Sequence, residues 1–212
     1  MGSLDDQHQP QGQFRPIVAF DFDGTLTSRD SFVAFLAWRA GAPRFALGAL
    51  GLTPSLANYL FHHDRGRLKA RFAKAYLGQM SQEGIAAEAR KFAELHARKL
   101  LRPDAVRSWK RWQGEGARMV IVTASPETVV APFARGLGAD LLIGTRLEFD
   151  EHDRFTGRLD GANCRGEEKV RRLREAFGDD VRLEAAYGDT SGDAEMLALA
   201  DEQGMRVFKG AA

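Results

Sequence analysis

These 212 residues hold a single cysteine, Cys164, and five histidines. One cysteine cannot form an intrachain disulfide, and no Cys or His pair has the spacing of a zinc site. This usage fits a reducing, cytoplasmic setting. An excess of one charge is also lacking, because 30 basic side chains face 29 acidic ones. The basic residues do not gather into one tract, so no nucleic-acid partner is expected. A clean membrane span is missing too. The stretch from Phe45 to Phe61 carries no charge, but Thr53, Pro54, Ser55 and Asn58 interrupt it, and roughly 20 predominantly apolar residues are needed to cross a bilayer. Residues 1–14 have neither an apolar signal core nor a basic lead and read as a disordered tail.

What is present is an α/β pattern. Ile17-Val-Ala-Phe-Asp21 is a short apolar strand ending in acid. From Asp30 the apolar residues Phe32, Phe35, Leu36 and Trp38 recur at helical spacing, and helical sequence continues to about Trp112. A parallel crossover needs only one helix, so this excursion predicts an inserted helical subdomain. The expected division is a core of residues 15–29 and 104–212 around a cap of residues 30–103. Within the cap, Phe45 to Phe61 reads as buried core or, as the sharper alternative, as a face resting on a membrane surface. The basic helix from Gly66 to Leu77 and the Ser81-capped helix from Ser81 to Leu101 complete it. His62-His63 reads as surface, because adjacent helical residues diverge.

Pro103-Asp104 opens a helix with Trp109 and Trp112 as core residues, leading to a strand at Arg118 to Thr123. A helix over 127–136 and a strand over 141–144 follow. Leu147 to Phe149 and Phe155 to Leu159 read as an appended β-hairpin. A helix over 167–177, a strand over 183–187, a helix over 194–200 and a final strand at Met205 to Phe208 close the chain. The prediction is a Rossmann-like, mostly parallel sheet with its site at the carboxyl ends of the strands.

Four patches converge on that edge. Asp21 and Asp23 follow the first strand, and the chain then turns at Gly24, so both carboxylates can reach one pocket. Asp21 is placed to attack phosphorus and Asp23 to act as general acid and base. Asp21, the backbone carbonyl of Asp23 and the Asp189 carboxylate offer the hard oxygen donors that suit Mg²⁺. Lys169, the Thr123 hydroxyl and the adjacent Ala124 backbone N–H are the phosphate-binding candidates. Asp193 stands behind them, orienting a bound water or the lysine. Cys164 beside the lysine lacks the partners of a nucleophile and reads as structural.

Asp21-Phe-Asp23-Gly-Thr-Leu-Thr27, Thr123, Lys169 and Gly188-Asp189 through Asp193 resemble the four motifs of the haloacid dehalogenase superfamily, over Ile17 to Phe208. The helical insert resembles the cap of its phosphoserine-phosphatase-like branch, subfamily IB. The resemblance implies a Mg²⁺-dependent phosphomonoesterase with an aspartyl-phosphate on Asp21, and an acid at position 23 marks the superfamily's phosphatases. It also implies cap residues for specificity: Asp30 for a substrate ammonium, and Lys69 or Arg71 for a carboxylate. Thr123-Ala-Ser125-Pro126 and Gly192 depart from the phosphoserine pattern. Val122-Thr-Ala-Ser-Pro126, Asn163-Cys-Arg-Gly-Glu-Glu-Lys169 and the uncharged cap stretch look more like the branch that includes phosphatidylglycerophosphatase C. Small phosphomonoesters and lipid phosphates thus both stand as substrates, phosphotransfer to an alcohol and a receiver-type signalling module stand as alternatives, and the chain is expected to be a monomer or homodimer.

Overall fold

The computed structural model describes residues 15–51 and 65–210, with side chains for 15–47 and 70–210. The tail, His62-His63, most of the uncharged stretch and the Lys69 side chain lie outside those described. Six strands form one sheet in the order β4-β3-β2-β1-β5-β6. They are β1 (Ile17–Phe20), β2 (Arg118–Pro126), β3 (Leu141–Phe149), β4 (Phe155–Asp160), β5 (Leu183–Gly188) and β6 (Ala200–Met205). Every neighbouring pair is parallel except β3 with β4.

The sequence of β1 explains its central place. Val18 and Phe20 join one buried cluster, and Ala19 joins the other. Successive side chains of a strand point to opposite faces, so a strand covered on both faces must be apolar throughout. β2 repeats the pattern, with Met119 and Ile121 on the first face and Val120 and Val122 on the second. β1 lies between β2 and β5, pairing Phe20 with Ile121 and with Tyr187. Its C-terminal end therefore opens at the middle of the sheet edge.

The helices are α1 (Ser31–Ala40), α2 (Ala42–Gly51), α3 (Arg65–Leu77), α4 (Gln82–Leu100), α5 (Pro103–Gly114), α6 (Glu127–Leu137), α7 (Glu167–Phe177) and the single turn α8 (Ala194–Leu197). Asp30 caps α1 by accepting from the Val33 N–H at 2.8 Å, and Ser81 caps α4 by accepting from Gly84 N–H at 3.1 Å. Such caps satisfy otherwise orphaned N–H groups. The helical run leaves and rejoins the sheet at one place. Ser28 N–H donates to Leu100 O, and Arg102 N–H to Leu26 O, both at 2.8 Å. Trp109 and Trp112 are buried, and their indole N–H groups donate to Leu137 O and the Tyr187 hydroxyl, each at 2.9 Å.

Several boundaries differ from the sequence reading, among them β2, which runs on past Thr123 to Pro126. The expected strand at 141–144 and the first hairpin arm are one continuous strand, β3, so the hairpin grows directly out of the sheet. Asp150 makes its turn by accepting from His152 and Arg154 N–H. The last strand lies at Ala200–Met205, ahead of the apolar 205–208 segment, and α8 ends at Leu197. β6 is an edge strand whose residues Asp201, Glu202 and Gln203 face solvent, so it carries no apolar alternation to announce it.

At the start of the uncharged stretch, Phe45 stacks on Tyr76 with ring centroids 5.0 Å apart, while Leu47 is 69% exposed. Among the described residues, no helix is long and apolar enough to cross a membrane.

Candidate active site

The ends of β1, β2 and β5 and the first turn of α7 border a cavity of about 680 Å³. Asp21, Asp23, Asp30, Thr123, Ala124, Lys169, Asp189 and Asp193 all line it. Of the two basic cap candidates, Arg71 is exposed and absent from this lining, where its neighbour Phe72 stands instead. Asp30 does line the cavity, but one of its carboxylate oxygens is committed to capping α1.

Asp21 is the first residue beyond β1, anchored by its N–H to Tyr187 O at 2.8 Å. Lys169, only 1% exposed, reaches it across the sheet edge. The Lys169 Nζ donates to Asp21 Oδ1 at 2.7 Å, Asp193 Oδ1 at 2.6 Å and Val122 O at 2.6 Å. These contacts use all three ammonium donors. The other Asp193 oxygen accepts from Thr190 N–H at 2.9 Å, Asp189 N–H at 3.2 Å and the Thr190 hydroxyl at 3.1 Å. Asp193 thus fixes both the lysine and the loop that carries Asp189.

Burial drives the electrostatics. It pushes the Asp21 carboxyl up to about 7, against the lowering effect of Lys169. Asp189 is raised by burial and by its neighbour Asp193. Burial also works to raise Asp193, but the Lys169 charge and the hydrogen bonds it receives hold it low. For Lys169, burial opposes the charge, yet Asp21 and Asp193 more than compensate and keep it cationic. Desolvation and opposite charges are the two competing causes throughout.

Oxygen atoms of Asp21, Asp189 and Asp193 lie within 4.8 Å of one another. Three hard donors so gathered fit a divalent cation such as Mg²⁺. Gly24 makes room for this, because with φ +83° a Cβ there would stand 2.1 Å from Asp189 Oδ2. The Asp23 side chain turns elsewhere. Its Oδ1 accepts from Ser31 N–H at 2.7 Å, at the start of α1, and its Oδ2 accepts from the Ser125 hydroxyl. That leaves the Asp23 backbone carbonyl as the atom the sequence reading offers to the metal.

Ser125 is the contact that sequence reading missed. It stands two residues after Thr123, and alternate residues of a strand share a face, so the signal was available. Arg29, Arg102, Asn163, Arg165 and the apolar Phe32, Val33 and Phe72 also line the cavity. The chain's cysteine, Cys164, is fully buried, and burial pushes its thiol up to about 11.

The family model for haloacid dehalogenase-like hydrolases matches residues 18–198. The chain belongs to that family. It stands with the phosphatases among the haloacid dehalogenase-like hydrolases. Protein CicA of Caulobacter vibrioides is 62% identical over 194 residues, covering 92% of this chain and 87% of that protein. The histidinol-phosphatase of Neisseria meningitidis is 25% identical, covering 88% of this chain and 87% of the relative. Among solved structures, a protein of unknown function from Bordetella pertussis superposes with a TM-score of 0.72 at 25% identity, covering 89% of this chain and 88% of the other. A phosphoserine phosphatase in a phospho-aspartyl intermediate analogue form shares the fold, with a TM-score of 0.58 at 18% identity over 89% and 85% of the two chains.

Proposed function

We propose that this chain is a Mg²⁺-dependent phosphomonoester hydrolase that works through an aspartyl-phosphate on Asp21. The observation that supports it most is the buried Lys169 ammonium, 2.7 Å from Asp21 Oδ1 in a cavity that also takes Asp23, Thr123 and Asp189. In this reading the Asp21 carboxylate attacks phosphorus, the bond from phosphorus to the ester oxygen breaks, and Asp23 gives its proton to the departing alkoxide. Asp23 then takes a proton from water as the water oxygen attacks phosphorus, freeing inorganic phosphate and restoring Asp21. Water is the sole co-reactant. The Thr123 hydroxyl and the Ala124 N–H hold the phosphoryl oxygens, and Lys169, its three donors already engaged, adds a fixed positive charge beside them.

Asp21, Asp189 and the Asp23 carbonyl would hold Mg²⁺, with Asp193 the next oxygen in reach. When bound, the ion supplies positive charge that offsets the repulsion between a carboxylate and a phosphate dianion. The test is hydrolysis of 4-nitrophenyl phosphate with Mg²⁺. Activity should vanish in EDTA and in Asp21→Asn, and robust turnover by that variant would overturn the mechanism. A receiver-type signalling module would instead show one phosphorylation without turnover.

For the substrate, the names of the histidinol-phosphatase and phosphoserine phosphatase relatives favour a small soluble phosphomonoester. The apolar wall of Phe32, Val33 and Phe72, with the exposed Leu47 on α2, favours a lipid phosphate at a membrane surface. A parallel screen of phosphoserine, histidinol phosphate and micellar phosphatidylglycerol phosphate separates the two. Adding a free alcohol acceptor to the same screen reveals any phosphotransfer.

A further inference from the structure

The Ser125 hydroxyl has no part in the chemistry just described, yet it is buried against the group that moves the proton. Ser125 is 1% exposed and close to the end of β2. The β2–β3 register shifts between Val122 and Pro126, and such an irregularity re-aims side chains at a strand's end. Ser125 N–H donates to Thr123 Oγ1 at 3.0 Å, which locks the pair of residues to each other. Its Oγ then meets Asp23 Oδ2, while Ser31 N–H holds Asp23 Oδ1. The Asp23 carboxylate is thus clamped from two elements, β2 and α1.

Both clamps donate, and a carboxyl group keeps acceptor capacity when it carries a proton. Ser125 can therefore hold Oδ2 before and after transfer without drawing the proton away from the departing alkoxide. We propose that Ser125 is a positioning residue for proton transfer by Asp23, fixing the plane of its carboxyl group throughout the cycle. This rests on the phosphomonoesterase reading, and no contact between Ser125 and substrate is implied.

A positioning role predicts dependence on the leaving group. An alkyl alkoxide needs a proton as it departs, whereas 4-nitrophenolate leaves with little help. The test measures first-turnover alcohol release from 2-phenylethyl phosphate and from 4-nitrophenyl phosphate, with Mg²⁺ present. General acid catalysis is worth roughly 100- to 10,000-fold in all, and Ser125→Ala should lose a share of it. Its rate on the alkyl ester should fall at least about 10-fold more than on the aryl ester, and Ser125→Thr, which keeps the hydroxyl, should restore most of the difference. Equal losses on both esters, or no loss, would overturn the proposal.

Asp23→Asn serves as the reference. If it fails to discriminate between the esters, the phosphatase mechanism itself is wrong; if it discriminates and Ser125→Ala does not, only the role of Ser125 falls. Should the alanine variant not fold, Ser125→Cys, nearly the same shape with a weak donor, carries the same expectation and the same refutation.

Discussion

Lys169→Met keeps most of a buried, apolar stem and deletes only its ammonium. In the native chain that ammonium sits between Asp21 Oδ1 and Asp193 Oδ1, at 2.7 and 2.6 Å, with the side chain 1% exposed. Without it, two carboxylates whose ligand oxygens lie within 4.8 Å face each other in a buried pocket. At an effective dielectric near 20, their repulsion is on the order of 3 kcal/mol. Removing one partner of a buried ion pair typically costs about 3–5 kcal/mol, so the two scales agree. Protonation is the only relief open to the metal-free protein. Asp21 already stands at about 7 with the lysine present, and losing that cation moves it higher. A carboxyl raised in the folded state contributes stability that is fully present below its unfolded value near 4 and is lost as pH climbs through the folded value. The penalty of Lys169→Met should therefore be smallest near pH 5 and grow as pH rises past 7, reaching its full size only above the variant's own, higher folded value. For a chain of this size, about 2–4 °C of melting temperature corresponds to each kcal/mol, so the full loss corresponds to roughly 6–20 °C, and pH 8 reads the part developed by then. Thermal denaturation followed by circular dichroism, in EDTA at pH 5 and pH 8, reads this directly. A variant that melts with the wild type at pH 8, or that suffers more at pH 5, would refute the buried-cluster argument.

Gly24→Ala should place a methyl group against Asp189 and impose a strained φ, costing about 1–2 kcal/mol; a Mg²⁺ titration of aryl phosphate hydrolysis should shift to higher concentration. Asp30→Ala should remove the α1 cap at a cost of about 1 kcal/mol, visible in urea unfolding, and should slow phosphoserine no more than a phosphate ester lacking an ammonium group. Arg172→Leu strips a buried guanidinium from Glu168, Gly144 O and Ala162 O, and should cost roughly 2–4 kcal/mol in urea unfolding, chiefly from unsatisfied carbonyls. Cys164, with its thiol near 11, should be about one part in a thousand thiolate at pH 8, so Ellman's reagent should label it only after guanidinium unfolding.

The chain's buried strands were readable because burial on both faces constrains every residue. Ile17 to Phe20 could hardly be anything but a central strand, and the acids just beyond it inherit their position from that certainty. Where one side of a strand faces solvent, the constraint lapses. The polar run Asp201-Glu202-Gln203 forms β6 through its hydrogen bonds to β5, and no periodicity betrays it. Site chemistry divides along the same line. Asp21, Lys169 and Asp189 were legible as a group, because residues weak as signals one by one stand at strand and helix ends along one sheet edge, and the structure brings them to one cavity. For Asp193 and Ser125 the sequence offers at most a shared strand face or loop, because their partners are set by contacts across the fold. Asp193 splits its two oxygens between Lys169 and the Asp189 loop, and Ser125 meets Asp23 across 102 residues of sequence. The helical run between those two residues leaves and returns beside Leu26 and Leu100, and α1, its first helix, supplies the Ser31 N–H that grips the other Asp23 oxygen. Asp23 is thereby tied to the sheet on one side and to the helical layer on the other, so in the proposed mechanism substitutions at the start of α1 should reach the proton-transfer step without touching the phosphate.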